Sequence, residues 1–125
     1  MEARKIIITG GATRIGAAIA EKLSGPNKEI TIHYNQSKSK AERLKKTLQK
    51  FGTIVHLVKG DLSKERDIHK IVKFSKSKMK FFDCLINNAS LFENDKLENF
   101  SSSSWEKHIS TNLKAPALLS KEFSK

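Results

Sequence analysis

The sequence has little cysteine, little tyrosine and no long apolar run. It contains one cysteine, Cys84, so an internal disulfide and a cysteine-cluster metal site are excluded, and we expect no bound metal. Cys84 lies in an apolar run, which is typical of a buried, inert thiol. No stretch approaches the roughly 20 apolar residues that a membrane-spanning helix needs. The charged residues 1–5 precede only three isoleucines, too few for a signal peptide, so we expect a cytoplasmic protein without a membrane partner.

Acidic residues are also scarce, because 13 Asp and Glu stand against 24 Lys and Arg, for a formal net charge of +11. Such an excess is found in nucleic-acid-binding proteins. Here the lysines are spread along the amphipathic segments between residues 38 and 80, with few aromatics among them. We therefore expect no nucleic-acid partner, while the basic surface would help attract a polyanionic cofactor. The alternative, a nucleic-acid-binding protein, predicts salt-sensitive binding with which a nucleotide cofactor does not compete.

Predicted strands and helices alternate along the chain. The β-branched and apolar runs at residues 5–9, 29–34, 53–58 and 81–86 predict strands. Helical spacing predicts helices over residues 14–24 and 38–51, a third after a Ser63 cap, and a fourth from about Ser102, which the serines at 101–104 would open. In the first helix the predicted apolar face consists of Ile15, Ala18, Ile19 and Leu23.

This alternation indicates parallel βαβ units. Right-handed crossovers then favour a Rossmann-type doubly wound sheet of strand order 3-2-1-4, covered by helices on both faces. The sequence therefore predicts a single three-layer α/β domain over residues 1–125.

A glycine-rich turn joins the first strand to the first helix, from Thr9 through Gly10 and Gly11 to Gly16. Glycine lets a backbone turn tightly and approach a pyrophosphate closely, and the free amides of a helix N-terminus favour the anion. The alternative is an ordinary turn that merely uses glycine. The strand–glycine–helix order favours a dinucleotide site.

Four segments in this order carry a resemblance to a known family: residues 9–16, 60–63, 87–90 and 111–113. Across its whole length the chain resembles the short-chain dehydrogenase/reductase family. Within it, the chain looks most like the pteridine reductase and dihydromonapterin reductase branch, through residues 14–16, 33–37 and 90–92. The resemblance implies an NADPH-dependent oxidoreductase that transfers hydride to a C=O or C=N bond of a small molecule. Its closest branch implies a pterin-like substrate.

The choice between NAD and NADP depends on the end of the second strand. An acidic residue there would hold the ribose 2′-hydroxyl, but residues 33–38 contain none. Ser37 offers a hydroxyl and Lys38 a positive charge. Arg14 stands where most members of the family have glycine, and its guanidinium can pair with the 2′-phosphate. Many NADP-binding relatives carry an arginine near the position of Gln36. This chain departs from that pattern, because it has no arginine there, but NADP(H) remains the expected cofactor.

The resemblance assigns further residues to the cofactor. Asp61 would accept a hydrogen bond from the adenine amino group and Leu62 would pack beside the ring, although Asp61 also suits a turn or a cap. Asn88 would shape the cofactor floor at the end of the fourth strand. The full set of expected cofactor contacts is Thr9, Gly10, Gly11, Arg14, Ile15, Gly16, His33, Asn35, Ser37, Asp61, Leu62, Asn88 and Ala89.

The substrate side rests on the same resemblance. Ser90 and Phe92 would meet the substrate, with Phe92 stacking on a flat heteroaromatic ring, or else anchoring its loop in the core. Asn112 would belong to the catalytic set and help hold a water of the proton relay, or else be a polar residue of helix packing.

The serine, tyrosine and lysine that complete the family's chemistry are not assigned in residues 1–125. The one tyrosine, Tyr34, stands four residues before Lys38, but this pair is rejected because it straddles a strand end. We therefore expect the cofactor-binding half of an enzyme, truncated before the Tyr-x-x-x-Lys segment, inactive by itself, and marginally stable or self-associating through an unpaired strand edge. A homo-oligomer is expected of a full-length form. The alternative is a dinucleotide-binding module without catalysis.

Overall fold

The computed structural model describes residues 4–125, so residues 1–3, which entered the signal-peptide argument, lie outside the described part. Strands and helices alternate along the chain. The elements are β1 (Lys5–Ile8), α1 (Arg14–Leu23), β2 (Glu29–Tyr34), α2 (Lys38–Lys50), β3 (Ile54–Lys59), α3 (Glu65–Met79), β4 (Cys84–Ile86), α4 (Ser102–Ile109), a π-helical turn (Ser110–Lys114) and α5 (Ala115–Phe123).

The four strands form one parallel sheet in the order β3-β2-β1-β4, which confirms the predicted topology. Strand β1 is central, because Ile6 pairs with Ile30 of β2 on one side and with Cys84 of β4 on the other. The three isoleucines of β1 are all buried. A strand covered by helices on both faces needs such a continuous apolar run.

The core has two parts, one on each face of the sheet. Ile6, Ile8 and Ile30 belong to a cluster with the inner faces of α1 and α2. Val58 and Ile71 belong to a second cluster, formed with α3 and α5. Helices therefore cover both faces, as the predicted three-layer arrangement requires.

The predicted inner face of α1 is partly wrong. Ile15 is 70% exposed and Ala18 is also exposed, whereas Gly16 and Ala20 are buried. The cause is a close approach, because a Cβ on Gly16 would lie 2.6 Å from Asn88 Nδ2 and would overlap the carbonyl oxygen of Gly10. The helix therefore turns its glycine side, rather than its bulkier Ile15, toward the sheet.

The predicted Ser63 cap of α3 is also wrong. The helix begins at Glu65 after Lys64, which makes no side-chain cap bond. The N–H and hydroxyl of Ser63 instead donate to Asp61 Oδ1, over 2.9 and 2.7 Å. Ser63 therefore does not cap α3, because its polar groups form a local turn with Asp61 instead.

Strand β4 is shorter than predicted and its cysteine is less buried. The paired residues are Cys84–Ile86, and Asp83 before them binds Lys5 through its backbone and side chain. Cys84 is half-buried, and this burial raises the pKa of its thiol. A thiol with a raised pKa is mostly protonated and poorly nucleophilic, which agrees with the predicted inert role.

The predicted last helix starts as expected, since the Ser101 side chain accepts a hydrogen bond from the Ser104 N–H. It is interrupted by the π-helical turn before α5, where the Ala115 N–H donates to the Ser110 carbonyl five residues earlier. Pro116 explains this turn, because its ring crowds the carbonyl of Asn112 and offers it no N–H. Within residues 4–125 no helix is long and apolar enough to cross a membrane, and no acidic, His or Cys cluster is suited to a metal.

The orientation of α1 can be tested with two leucine substitutions. Ala20→Leu adds three carbons at a fully buried position and should lower the free energy of unfolding by about 1–3 kcal/mol. Ala18→Leu places the same side chain at an exposed position and should change it by less than about 0.5 kcal/mol. Urea unfolding of both variants measures the difference. The reverse ranking would mean that the helix presents its other face to the sheet.

Candidate functional site

The candidate site lies at the carboxyl ends of β1, β2 and β4, where the turn of residues 9–16 leaves the sheet. Gly10 has a φ of 61°, in the left-handed region that glycine adopts freely. A Cβ there would lie 2.9 Å from the α-carbon of Ala89. A side chain at Gly10 is therefore excluded by both conformation and space.

Thr9 and Asn88 tie the end of β1 to the loop after β4. The buried Thr9 hydroxyl oxygen accepts hydrogen bonds from the N–H groups of Asn88 and Ala89, over 3.0 and 3.1 Å. Asn88 Nδ2 donates in return to the carbonyls of Thr9 and Gly10, both over 3.1 Å. These hydrogen bonds tie the turn to the loop after β4 and leave no polar group of Thr9 pointing outward. The predicted contact of Asn88 with a cofactor stays a prediction.

The N-terminus of α1 leaves several amides unused. Thr13 precedes the helix without a side-chain cap bond, and the first recorded backbone bond runs from the Ala17 N–H to the Thr13 carbonyl. Among the described residues, nothing accepts from the N–H groups of Arg14, Ile15 and Gly16. Free amides combined with the helix dipole make a site for an anion.

Arg14 has an unusual backbone. It is exposed and its φ is 50°, a left-handed conformation that costs a non-glycine residue about 1–2 kcal/mol. Strained residues of this kind cluster at functional sites.

His33 supports the turn from below. Its Nδ1 accepts from the Gly10 N–H over 3.0 Å, and its Nε2 lies 2.8 Å from the Gly60 carbonyl, to which it donates. The ring is 2% exposed, and burial lowers the pKa of His33. A neutral ring thus bridges the ends of β1 and β3. Its predicted contact with a cofactor stays a prediction, and no ring nitrogen is free to make it.

On the far side of β2 the predicted residues are more accessible. Asn35 is exposed, and Ser37 begins α2 with a hydroxyl for which no partner is recorded among the described residues. Asp61 uses Oδ1 for Ser63, and this hydrogen bond lowers the pKa of the Asp61 carboxyl. The turn interpretation of Asp61 is thus present in the structure, because its Oδ1 also accepts from the Ser63 N–H, and its Oδ2 makes no hydrogen bond among the described residues.

The Leu62 side chain is buried, so its predicted contact with a bound adenine ring stays a prediction. It is 5% exposed and packs in the core cluster with α3 and α5. Its side chain therefore has little surface left for a ligand, and only its backbone remains near the loop.

The substrate side is formed by the loop after β4. Ser90 is exposed, and the Phe92 side chain is 83% exposed, so the alternative of Phe92 as a core anchor is wrong. Asn112 fastens this loop, since its Oδ1 accepts from the Leu91 N–H and its Nδ2 donates to the Leu91 carbonyl, both over 2.8 Å. Farther along lies an open groove of about 470 Å³, lined by Phe92, Glu93, Asp95, Lys96, Leu97, Phe100, Trp105 and His108.

Asn112 also has a special backbone position, inside the π-helical turn. Four residues later stands Pro116, which has no N–H, so the Asn112 carbonyl lacks the donor that a regular α-helix would give it. Turns of this type occur frequently at functional sites. Both polar atoms of the Asn112 side chain bind the backbone of Leu91. A water of the proton relay would therefore have to bind the backbone carbonyl of Asn112.

Sequence reasoning missed His108. Its Nε2 accepts from the Glu93 N–H over 3.0 Å, so it holds the same loop that Asn112 holds. A signal existed, because the two residues stand four apart in a predicted helix and so share one face.

Comparisons with known proteins agree with this geometry. A family model described as short chain dehydrogenase matches residues 4–125. The short-chain dehydrogenase/reductase FrzI of Cladobotryum sp is 30% identical over 113 residues, which is 90% of this chain and 44% of that protein. The chain thus spans less than half the length of this curated relative.

Solved structures are similar as well. FolM alternative dihydrofolate reductase 1 from Brucella canis, solved with NADP, is 32% identical, with a TM-score of 0.85 over 94% of this chain and 48% of that one. A short chain dehydrogenase from Burkholderia cenocepacia J2315, also solved with NADP, reaches a TM-score of 0.92 at 22% identity, over 97% of this chain and 49% of that one. At that identity the second likeness supports the fold alone.

The support that His33 gives to the turn predicts a pH dependence of stability. Burial holds the pKa of His33 in the folded state below the ordinary histidine value, so the unfolded state binds the proton first as the pH falls. Stability is therefore full above that value and falls as the pH drops below it, by up to about 1.4 kcal/mol per pH unit, until the folded ring titrates. Urea unfolding between pH 7.5 and 5, a range set about the ordinary histidine pKa, measures the slope.

His33→Asn should flatten this slope, whereas His69→Asn, at an exposed position on α3, should leave it unchanged. An equal slope in wild type and His33→Asn would contradict the buried neutral ring.

Proposed function

Because this chain belongs to the short-chain dehydrogenase family, a family of oxidoreductases, we propose that it binds NADP(H) and forms the cofactor-binding half of an NADPH-dependent reductase. The observation that carries the proposal is the N-terminus of α1, where unbonded amides meet a glycine turn that excludes side chains. A pyrophosphate fits this arrangement, because it needs both close backbone approach and several N–H donors.

The 2′-phosphate specificity rests on charge and on what the end of β2 lacks. Arg14 is exposed beside the turn, and the Ser37 hydroxyl and the exposed Lys38 stand at the start of α2. No carboxylate stands in residues 33–38 to repel a phosphate or to hold a free 2′-hydroxyl. These groups support NADP(H) over NAD(H), as does the 32% identical relative that was solved with NADP.

The strain at Arg14 strengthens this assignment. Glycine would adopt a φ of 50° without cost, yet the chain keeps an arginine there. A residue that costs stability at an anion site is explained if its guanidinium binds the anion. Asn35 and Asp61, both accessible nearby, would serve the adenosine part.

The bound nicotinamide would supply the hydride for a C=O or C=N bond. Toward that reaction, the chain's own residues offer the exposed ring of Phe92 to a flat substrate, with Ser90 beside it, and the Asn112 carbonyl to a relay water. A pterin-like substrate suits this exposed aromatic ring. The likeness to a relative named as an alternative dihydrofolate reductase supports that substrate class.

A second function, dinucleotide binding without catalysis, is favoured by one observation. The only tyrosine of residues 1–125, Tyr34, ends β2 and is partly buried in the core cluster there, so no tyrosine lies on the helix that carries Asn112. On either proposal residues 1–125 by themselves bind the nucleotide without turning over a substrate. Turnover of a carbonyl or pterin substrate by these residues alone would contradict this point.

The cofactor assignment is tested by titrating the chain with NADPH and NADH while nicotinamide fluorescence is recorded. We expect NADPH to bind at least ten-fold tighter than NADH. Arg14→Gly should weaken NADPH binding by roughly ten-fold or more, the value of a charge-assisted hydrogen bond, and leave NADH binding unchanged. The same variant should raise the thermal midpoint of the free chain, because it relieves the left-handed strain.

Arg66→Ala is the matched control, since it removes one exposed positive charge from α3, outside the turn. It should alter neither affinity. If Arg14→Gly weakens both nucleotides equally, or weakens neither, the 2′-phosphate assignment fails.

A further inference from the structure

The loop between β4 and α4 is almost entirely exposed, yet it is held at two points on one helix face. The side chain of Asn112 binds both backbone polar groups of Leu91. Four residues earlier on the helix, His108 Nε2 accepts from the Glu93 N–H over 3.0 Å. We call residues 91–93 together with His108 and Asn112 the loop clasp.

The spacing of His108 and Asn112 along the helix matches the spacing of Leu91 and Glu93 along the loop. A helix advances about 5.4 Å per turn, and two residues of chain reach at most about 7 Å. One helical turn therefore separates two anchors that stand two residues apart on the loop. Phe92 lies between the anchors, and its side chain is free of the core.

The ring of His108 is oriented for this contact by its other nitrogen. Nδ1 lies 2.8 Å from the Ser104 carbonyl, to which it donates. A hydrogen on Nδ1 leaves a lone pair on Nε2, which is the acceptor that Glu93 requires. Lys107 adds a second hold on the same residue, because its Nζ lies 3.5 Å from the Glu93 carboxylate.

A nucleophilic role for the neighbouring Ser104 does not fit the contacts. Its hydroxyl donates to Asp95 Oδ2, and its oxygen lies 3.4 Å from the already engaged Nδ1 of His108. Since both ring nitrogens of His108 are engaged with backbone groups, this imidazole is not available as the base that would activate the serine. The cluster of Asp95, Ser104 and His108 is built to hold a loop.

We propose that His108 is a positioning residue that, with Asn112, fixes residues 91–93 and so sets the position of the Phe92 ring at the substrate side. This rests on the proposed function, in which Phe92 stacks on a flat heteroaromatic substrate. His108 touches neither the substrate nor the cofactor in this scheme. It lowers the number of positions that the loop can adopt before a substrate binds.

The test compares wild type with His108→Leu and His108→Gln by amide hydrogen exchange read by NMR, together with NADPH affinity. His108→Leu should speed exchange at the Glu93 amide about five-fold or more, the value of one lost hydrogen bond. His108→Gln should restore protection, because its Oε1 can accept in place of Nε2. NADPH affinity should stay at the wild-type value in both variants, and the thermal midpoint of His108→Leu should fall only by the few degrees that one hydrogen bond is worth. His69→Leu on α3 should change none of these readings.

The substrate link is read with folic acid as the pterin probe on the NADPH-bound chain. His108→Leu should weaken its binding about five-fold, and His108→Gln should recover it. The inference is overturned if the Glu93 amide exchanges equally in wild type and His108→Leu, if glutamine fails to rescue, or if wild type binds NADPH but not folic acid. A wild type that does not bind NADPH overturns the proposed function instead, and the exchange result stands apart from it.

Discussion

The site depends on one close approach, in which the α-carbon of Gly16 rests on the turn at Gly10 and Gly11 beside the amide of Asn88. Any side chain at Gly16 would push α1 away from the sheet. With glycine there, the free N–H groups of the helix are brought directly above the end of β1. The position of the helix, the shape of the turn and the anion site are therefore consequences of the same contact.

The surrounding polar residues serve that contact rather than the ligand directly. The turn and the strand ends that flank it receive the hydrogen bonds of three side chains, those of Thr9, His33 and Asn88. Buried polar groups need such partners, and a fully bonded network makes a rigid support. In the proposed function, specificity for the cofactor comes from the accessible groups, above all Arg14, whose left-handed backbone is the local cost of a charged residue at this helix start.

The fold could be predicted because its signals are local: β-branched runs, breaker residues and helical spacing alternate in order. The errors arose where tertiary contacts decide. Helical periodicity placed Ile15 inward, but the contact at Gly16 sets the roll of α1. The glycine turn of the site was predictable as a motif, whereas the burial of Leu62 and the engaged ring of His33 depend on neighbours distant in sequence.

In the proposed function, this turn binds the pyrophosphate of NADP(H) and Arg14 binds its 2′-phosphate. The most direct measurement is phosphorus NMR of NADPH mixed with the chain, in which the pyrophosphate and 2′-phosphate resonances are resolved. Both signals should shift on binding, and in Arg14→Gly only the pyrophosphate shift should remain. A 2′-phosphate signal that does not move with wild type would contradict this proposal, because the phosphate would then lie free in solvent.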